Sequence, residues 1–270
     1  MDIPARPHGQ NGKIGVYCPQ STERERNMTE NILTGKLWAV CGDSFTDGNF
    51  SGAPEGEPLF TEGPFKGRRR TYGYLIADRN GMRVQHLAVG GMTMATPSDE
   101  VFLNTFSGGL YTTIDPAADY ITLYFGINDS HHRPRSSGDD GEVKKGVIRL
   151  GGINDTSVDT FCGAWNTVLP YLMEHHPFAH IGILVSNGCE TDEYRQAQIA
   201  LARKWGIPYL DLNGDERCPV MGRSTNPAIE KSVRDFRTRT FAVDPPRNTH
   251  PNALAHEYES RFIEAWLRSI

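Results

Sequence analysis

Two residues that together support nucleophilic catalysis lie far apart in the sequence. Ser44 follows Gly42-Asp43 in a short polar segment, and His250 lies near the C-terminus within residues 248–252. A serine hydroxyl becomes a nucleophile when a histidine within hydrogen-bond distance takes its proton. The pair therefore predicts acyl transfer through a serine ester, on the condition that the fold brings the two residues together.

Glycine and asparagine residues supply candidate donors for the oxyanion of such a reaction. Gly90 and Gly91 follow a predicted strand, and Asn128 follows another. A glycine lets its main-chain N–H approach the reacting carbonyl, and asparagine offers a side-chain amide. Together with the N–H of Ser44, these groups predict an oxyanion-binding site.

Predicted strands and helices alternate along the chain from residue 36. Strands are predicted at 37–41, 84–89, 120–125, 181–185 and 208–212, and helices at 72–80, 158–174, 194–205 and 255–266. This alternation predicts an α/β fold with an open, mostly parallel sheet and helices on both faces. Ligands of such sheets bind beyond the carboxyl ends of the strands, where Ser44, the two glycines and Asn128 lie.

Composition divides the chain into an arm and a domain. Residues 1–35 are rich in Pro, Gly and charge and are predicted to be an N-terminal arm or lead-in, whereas 36–270 form the domain. Residues 130–153 are too polar for a core, so we expect them to be a surface insertion. The polar N-terminus is unlike a signal peptide, which favours the cytoplasm or a phage particle as the location.

Charge and cysteine usage exclude several classes of function. A formal net charge of -5 gives no reason to expect nucleic acid or a membrane as a partner, and no apolar run approaches the roughly 20 residues of a membrane span. The five cysteines are scattered and form no C-x-x-C pair, so neither a disulfide framework nor a zinc site is expected. We expect no cofactor and no metal, and we expect Cys41, Cys162 and Cys189 to be core residues.

Taken together, the four segments resemble the blocks of the SGNH (GDSL) hydrolase superfamily. The resemblance extends from about residue 36 to the C-terminus and implies a three-layer α/β/α sandwich with a five-stranded, mostly parallel sheet (flavodoxin-like). It also implies that Ser44 is the nucleophile and first oxyanion donor, that Gly91 and Asn128 are the other donors, and that His250 is the base. Each motif is short, but all four occur in the family's order.

One position departs from the family pattern. The acid that orients the histidine normally lies three residues before it, and here that residue is Arg247. Asp244 is the nearest acid, and a main-chain carbonyl near Arg247 is the other candidate acceptor. Because the following Pro-Pro dipeptide restricts Asp244 to extended geometry, we favour a Ser44–His250 dyad with a main-chain acceptor.

The substrate expected is a small-molecule or glycan ester with a short acyl group, acetyl first. The polar loops at 48–70 and 130–153 contain no long apolar lid for a lipid chain. A weakly active or non-catalytic carbohydrate-binding domain of a phage tail or surface assembly is the alternative, since Arg247 replaces the acid. A metallophosphoesterase is a remote alternative, because its D-x-H and G-H-x-H motifs are missing.

Other charged residues near these segments have simpler interpretations. Asp43 is expected to hold its turn through main-chain hydrogen bonds, and Asp129 to order its loop. The run Arg68-Arg69-Arg70 could meet an anionic group of a substrate, although a solvated row of charges is the simpler interpretation. His256 is expected only to pack.

Overall fold

The computed structural model describes residues 31–48, 58–98, 104–134, 146–185, 192–212, 226–245 and 247–270. The chain divides into two units, Met1–Ile32 and Leu33–Ile270. Most of the predicted arm, and residues 135–145 of the predicted insertion, lie outside the described residues. Both therefore stay predictions.

A five-stranded parallel sheet forms the centre of the larger unit. Its strands are β1 (Leu37–Gly42), β2 (Arg83–Ala88), β3 (Tyr120–Tyr124), β4 (His180–Val185) and β5 (Tyr209–Asp211). They lie in the order β2-β1-β3-β4-β5, and every neighbouring pair is parallel. The carboxyl ends of β2, β1 and β3 therefore lie side by side, at the point where the strand order reverses.

Helices connect the strands and cover the sheet. They are α1 (Ser44–Asp47), α2 (Tyr72–Asn80), a 3₁₀ helix (Leu110–Thr113), α3 (Ile127–His131), α4 (Phe161–His175), α5 (Asp192–Trp205), α6 (Pro227–Phe241) and α7 (Ala253–Leu267). No helix of the described ranges is long and apolar enough to cross a membrane.

Alternating side chains of β1 divide the core into two layers. Trp38 and Val40 pack with residues of α2 and α7 on one face of the sheet. Ala39 and Cys41 pack with residues of α4 and α5 on the other. Because successive strand residues point to opposite faces, one strand contributes to both layers, and the predicted α/β/α sandwich is confirmed.

Two cysteines expected in the core are found there. Cys41 and Cys162 are buried free thiols. Cys189 lies outside the described residues, so its burial stays a prediction.

Two features between β5 and α7 differ from the elements expected. Residues 226–245 and 247–251, for which no element was predicted, include α6 and an antiparallel ribbon of β6 (Ala242–Asp244) and β7 (Asn248–Pro251). No residue of α6 is buried, so the helix adds nothing to the core. Its start signals are nevertheless present, because Asn226 caps it and Pro227 follows.

Candidate active site

Ser44 lies at the carboxyl end of β1, as the first residue of α1. Asp43 caps this helix, and its Oδ1 accepts the Phe45 main-chain N–H at 2.9 Å. Gly42 allows the tight turn, because a Cβ there would lie 2.1 Å from Thr46 Oγ1. As the first helical residue, Ser44 has a main-chain N–H with no acceptor inside the helix. That N–H is therefore available to a substrate.

His250 reaches the hydroxyl of Ser44 from β7. Its Nε2 lies 2.8 Å from Ser44 Oγ, although the two residues are 206 positions apart in the sequence. The Phe45 ring packs against the imidazole with 5.3 Å between ring centroids. Ser44 is buried and His250 is half-buried. The structure thus brings together the two residues that the sequence predicted as nucleophile and base.

The side chain of Asn248 contacts the other ring nitrogen. Asn248 Oδ1 lies 2.7 Å from His250 Nδ1, and the same oxygen accepts the main-chain N–H of His250 at 3.1 Å. Because a main-chain N–H can only donate, the atom that faces it is the amide oxygen and not the nitrogen. Nδ1 must then carry the ring proton, and Nε2 is left to accept the proton of Ser44. Asn248 therefore selects the imidazole tautomer that a general base needs.

This contact corrects the expectation for the third member of the site. The sequence offered the Asp244 carboxylate or a main-chain carbonyl, and the group found 2.7 Å from Nδ1 is the Asn248 amide. Asp244 is exposed on β6, where it pairs with Asn248 across the ribbon, and Arg247 is exposed as well. The missed signal is an asparagine two residues before the histidine, since alternate residues of a strand share a face.

The environment of His250 favours its neutral form. Burial lowers the pKa of the imidazole below its usual value, and the positive charge of nearby His131 lowers it further. A base must be unprotonated to accept the hydroxyl proton. Both effects therefore support this chemistry at neutral pH.

The predicted oxyanion donors lie on the two neighbouring strand ends. Asn128, in the first turn of α3, donates from Nδ2 to the Met92 carbonyl at 2.9 Å, which leaves the second amide proton for another acceptor. Gly91, next to Met92, has a φ of +79°, a conformation that favours glycine. Val89 N donates to Gly42 O at 3.2 Å and ties this loop to the end of β1. Asn128 and the Gly91 loop are thus held beside the segment that carries Ser44.

Two buried carboxyl groups support these loops. Asp129 accepts from the main-chain N–H groups of Met94 and Ala95, so it orders the loop after β2 as well as its own segment. Burial raises the pKa of Asp129 to about 6. Burial, with the negative charge of Asp129 nearby, raises the pKa of Asp43 to about 8. Both acids act on main-chain geometry, and neither contacts Ser44 Oγ.

The described ranges contain no group of three or more His, Cys, Asp or Glu side chains that could hold a metal ion.

Fold and site together define an α/β protein with a serine–histidine pair at the carboxyl end of its first strand. The sequence matches the GDSL-like lipase/acylhydrolase family over residues 40–258, which is more than half of the chain. The chain belongs to this family.

Solved structures share the fold at low sequence identity. A protein from Lactobacillus plantarum is 22% identical, with 87% of this chain and 98% of that chain covered and a TM-score of 0.58. A variant of an acetyl xylan esterase from Geobacillus stearothermophilus is 17% identical, with 87% and 96% covered and a TM-score of 0.52. No curated protein sequence matches the chain. At these identities the structures support the fold alone.

Proposed function

We propose that the protein is a serine-dependent carboxylic ester hydrolase that removes a short acyl group, acetyl first, from a carbohydrate. The observation that carries this proposal is the 2.8 Å contact between Ser44 Oγ and His250 Nε2. Because Asn248 accepts the proton on His250 Nδ1, Nε2 is unprotonated, and the Ser44 hydroxyl donates its hydrogen bond to Nε2.

The reaction proceeds as two acyl transfers. Ser44 Oγ attacks the ester carbonyl while His250 Nε2 takes its proton, and the oxyanion is held by the main-chain N–H groups of Ser44 and Gly91 and by the Asn128 amide. The imidazolium then gives the proton to the departing alcohol, and an acyl ester on Ser44 remains. Water, activated by His250, releases the acid and restores the serine.

Two observations support a short acyl group on a sugar. The described part of the polar loop predicted after Ser44, residues 58–70, is mostly exposed and has no buried apolar lid. The Geobacillus stearothermophilus structure of the same fold is that of a variant acetyl xylan esterase. A non-catalytic carbohydrate-binding domain is the second candidate, because Asn248 provides a neutral amide where the family has a carboxylate.

Hydrolysis assays separate the two candidates. The purified protein should cleave acetyl esters at least about tenfold faster than octanoyl esters, because a site with no pocket for the additional methylene groups disfavours the longer chain by at least that factor. Ser44→Ala should abolish hydrolysis, whereas the exposed serine variant Ser98→Ala should not change it. Wild-type protein without esterase activity would favour the binding domain. Activity that survives in Ser44→Ala would contradict the mechanism.

A further inference from the structure

The helix that carries Ser44 is too short to be fixed by its own hydrogen bonds. α1 has four residues, and the main-chain N–H groups of Thr46, Asp47 and Gly48 close its single turn on the carbonyls of Asp43 and Ser44. A helix of one turn is marginally stable by itself. The directions of the Ser44 hydroxyl and N–H must therefore depend on contacts between α1 and other elements.

The Thr46 side chain makes a buried polar contact with α2. Its Oγ1 lies 2.9 Å from the hydroxyl of Tyr72, the first residue of α2, and neither residue is more than 1% exposed. The same Oγ1 lies against Gly42, since a Cβ added there would be 2.1 Å from it. Thr46 Oγ1 is thus held between the Tyr72 hydroxyl and the main chain two residues before Ser44.

The Tyr72 ring is surrounded by other aromatic side chains. Its centroid lies 6.3 Å from that of Trp38 and 6.2 Å from those of Tyr124 and His256. Burial raises the pKa of the Tyr72 hydroxyl well above its usual value, so the group stays protonated at neutral pH. The packed ring therefore presents a hydroxyl of fixed position and charge to Thr46.

The residues just before Tyr72 contact the end of α1. Arg69 Nη1 donates to the Gly48 carbonyl at 2.6 Å. Thr71 Cγ2 lies against Gly48, where an added Cβ would be 2.4 Å away. Because the Gly48 N–H ends the helix on the Ser44 carbonyl, residues 69–72 contact α1 at two points, its third residue and its C-cap.

We propose that Tyr72 is a positioning residue of the active site, which acts on Ser44 through its hydrogen bond to Thr46. The reaction needs Ser44 Oγ within reach of His250 Nε2 and the Ser44 N–H directed at the oxyanion, and a displacement of about 1 Å can cost about 100-fold in rate. The directional bond to Tyr72 opposes rotation of α1, which would move both groups of Ser44 at once. This inference rests on the proposed esterase function and adds a residue outside the four segments that resemble the family.

Single-hydroxyl variants test the inference with nitrophenyl acetate as the substrate. Tyr72→Phe keeps the ring contacts and removes the bond to Thr46. It should lower kcat about five- to twentyfold and change KM by less than about twofold, because the reacting atoms are displaced while the groups that bind substrate stay in place. Thr46→Val should act in the same way. Thr46→Ser keeps the hydroxyl and should retain kcat within about threefold.

A double variant and a control separate positioning from a general loss of stability. If Tyr72 and Thr46 act through one bond, the variant that combines Tyr72→Phe with Thr46→Val should lose no more kcat than the more impaired single variant. Thr122→Val is the matched control, because it removes a buried hydroxyl that accepts from Trp38 Nε1 at 3.0 Å, outside α1. It should lower the urea midpoint about as much as Thr46→Val and leave kcat unchanged.

The outcomes distinguish the inference from the function on which it rests. An unchanged kcat in Tyr72→Phe, losses that multiply in the double variant, or a loss in Thr122→Val as large as that in Tyr72→Phe would each overturn the inference. Wild-type protein that neither hydrolyses nitrophenyl acetate nor reacts with a fluorophosphonate would instead refute the proposed esterase function.

Discussion

Ser44 and His250, the proposed nucleophile and base, are held in place in different ways. Ser44 follows β1, a strand whose six residues are all buried at the centre of the sheet. His250 lies on β7, a strand of a two-stranded ribbon outside that sheet, and only one of its four residues is buried. Core packing therefore fixes the serine, whereas local hydrogen bonds must fix the histidine.

Two asparagines supply those local hydrogen bonds. Asn248 holds the imidazole, and Asn252 donates to the carbonyls of Thr240 and Ala242 while it caps α7 through Ala255 N. The ribbon is thus joined to the helices on either side of it through its polar side chains. Substitutions near His250 should therefore change activity more than stability, whereas substitutions in the buried segment next to Ser44 should change both.

The largest effect is expected at Asn128, a proposed oxyanion donor that lies at the end of the central sheet. Asn128→Ala should lower kcat by about 100- to 1,000-fold with little change in KM, because the lost amide would act mainly on the transition state. Asn104→Ala, which truncates an exposed amide, is the control. Steady-state kinetics on an acetyl ester measure both. An unchanged kcat would mean that Asn128 only orders its loop through Met92.

The next effect is expected on the ribbon side, at Asn248. Asn248→Ala should lower kcat/KM by about 10- to 100-fold, less than the loss of a triad carboxylate, because a neutral amide stabilises the imidazolium less. Asn248→Asp should retain the activity and raise the pKa of His250. Rates measured across pH test both variants, and equal rates for wild type and Asn248→Ala would show that the amide does not orient the ring.

The strands, the order of the blocks and the residues on them could be predicted from the sequence because they rest on buried apolar runs that end in glycine or polar residues. Asn248 could not be found in this way. Its contact depends on the extended backbone of β7, and this ribbon has neither apolar alternation nor a wide buried face to mark it. Asp244, the acid nearest to His250 on its N-terminal side in the sequence, is exposed.

A stability effect is expected beneath Ser44. The folded-state pKa of Asp43, about 8, lies above its ordinary value of 3.8. The protonated Asp43 side chain therefore stabilises the fold fully below about pH 4, and this stabilisation is lost as the pH rises towards 8. Asp43→Asn keeps an oxygen for the Phe45 N–H and removes the charge. Its free energy of unfolding relative to wild type should therefore rise between pH 5 and pH 9, by more than about 1 kcal/mol. Urea titrations at pH 5 and pH 9 measure the free energy of unfolding of both proteins. A difference between the two proteins that is the same at both pH values would contradict the prediction.

The smallest effect is expected at His131, on the rim of the site. The acid limb of kcat/KM should have its midpoint below 6.5, because burial and the charge of His131 lower the pKa of His250. His131→Gln removes that charge and should move the midpoint towards higher pH. His175→Gln, at the end of α4, is the control. A midpoint that does not move would show that burial alone sets the pKa.

The labelling of Ser44 by a fluorophosphonate tests most directly whether His250, held by Asn248, activates the serine. Peptide mass spectrometry should find the label on Ser44, and labelling of Asp244→Asn should match wild type within about threefold. Asn248→Ala should be labelled at least about tenfold more slowly. Label on another residue would contradict the assignment of the nucleophile. Slow labelling of Asp244→Asn beside normal labelling of Asn248→Ala would show that the exposed acid, and not the amide, orients His250.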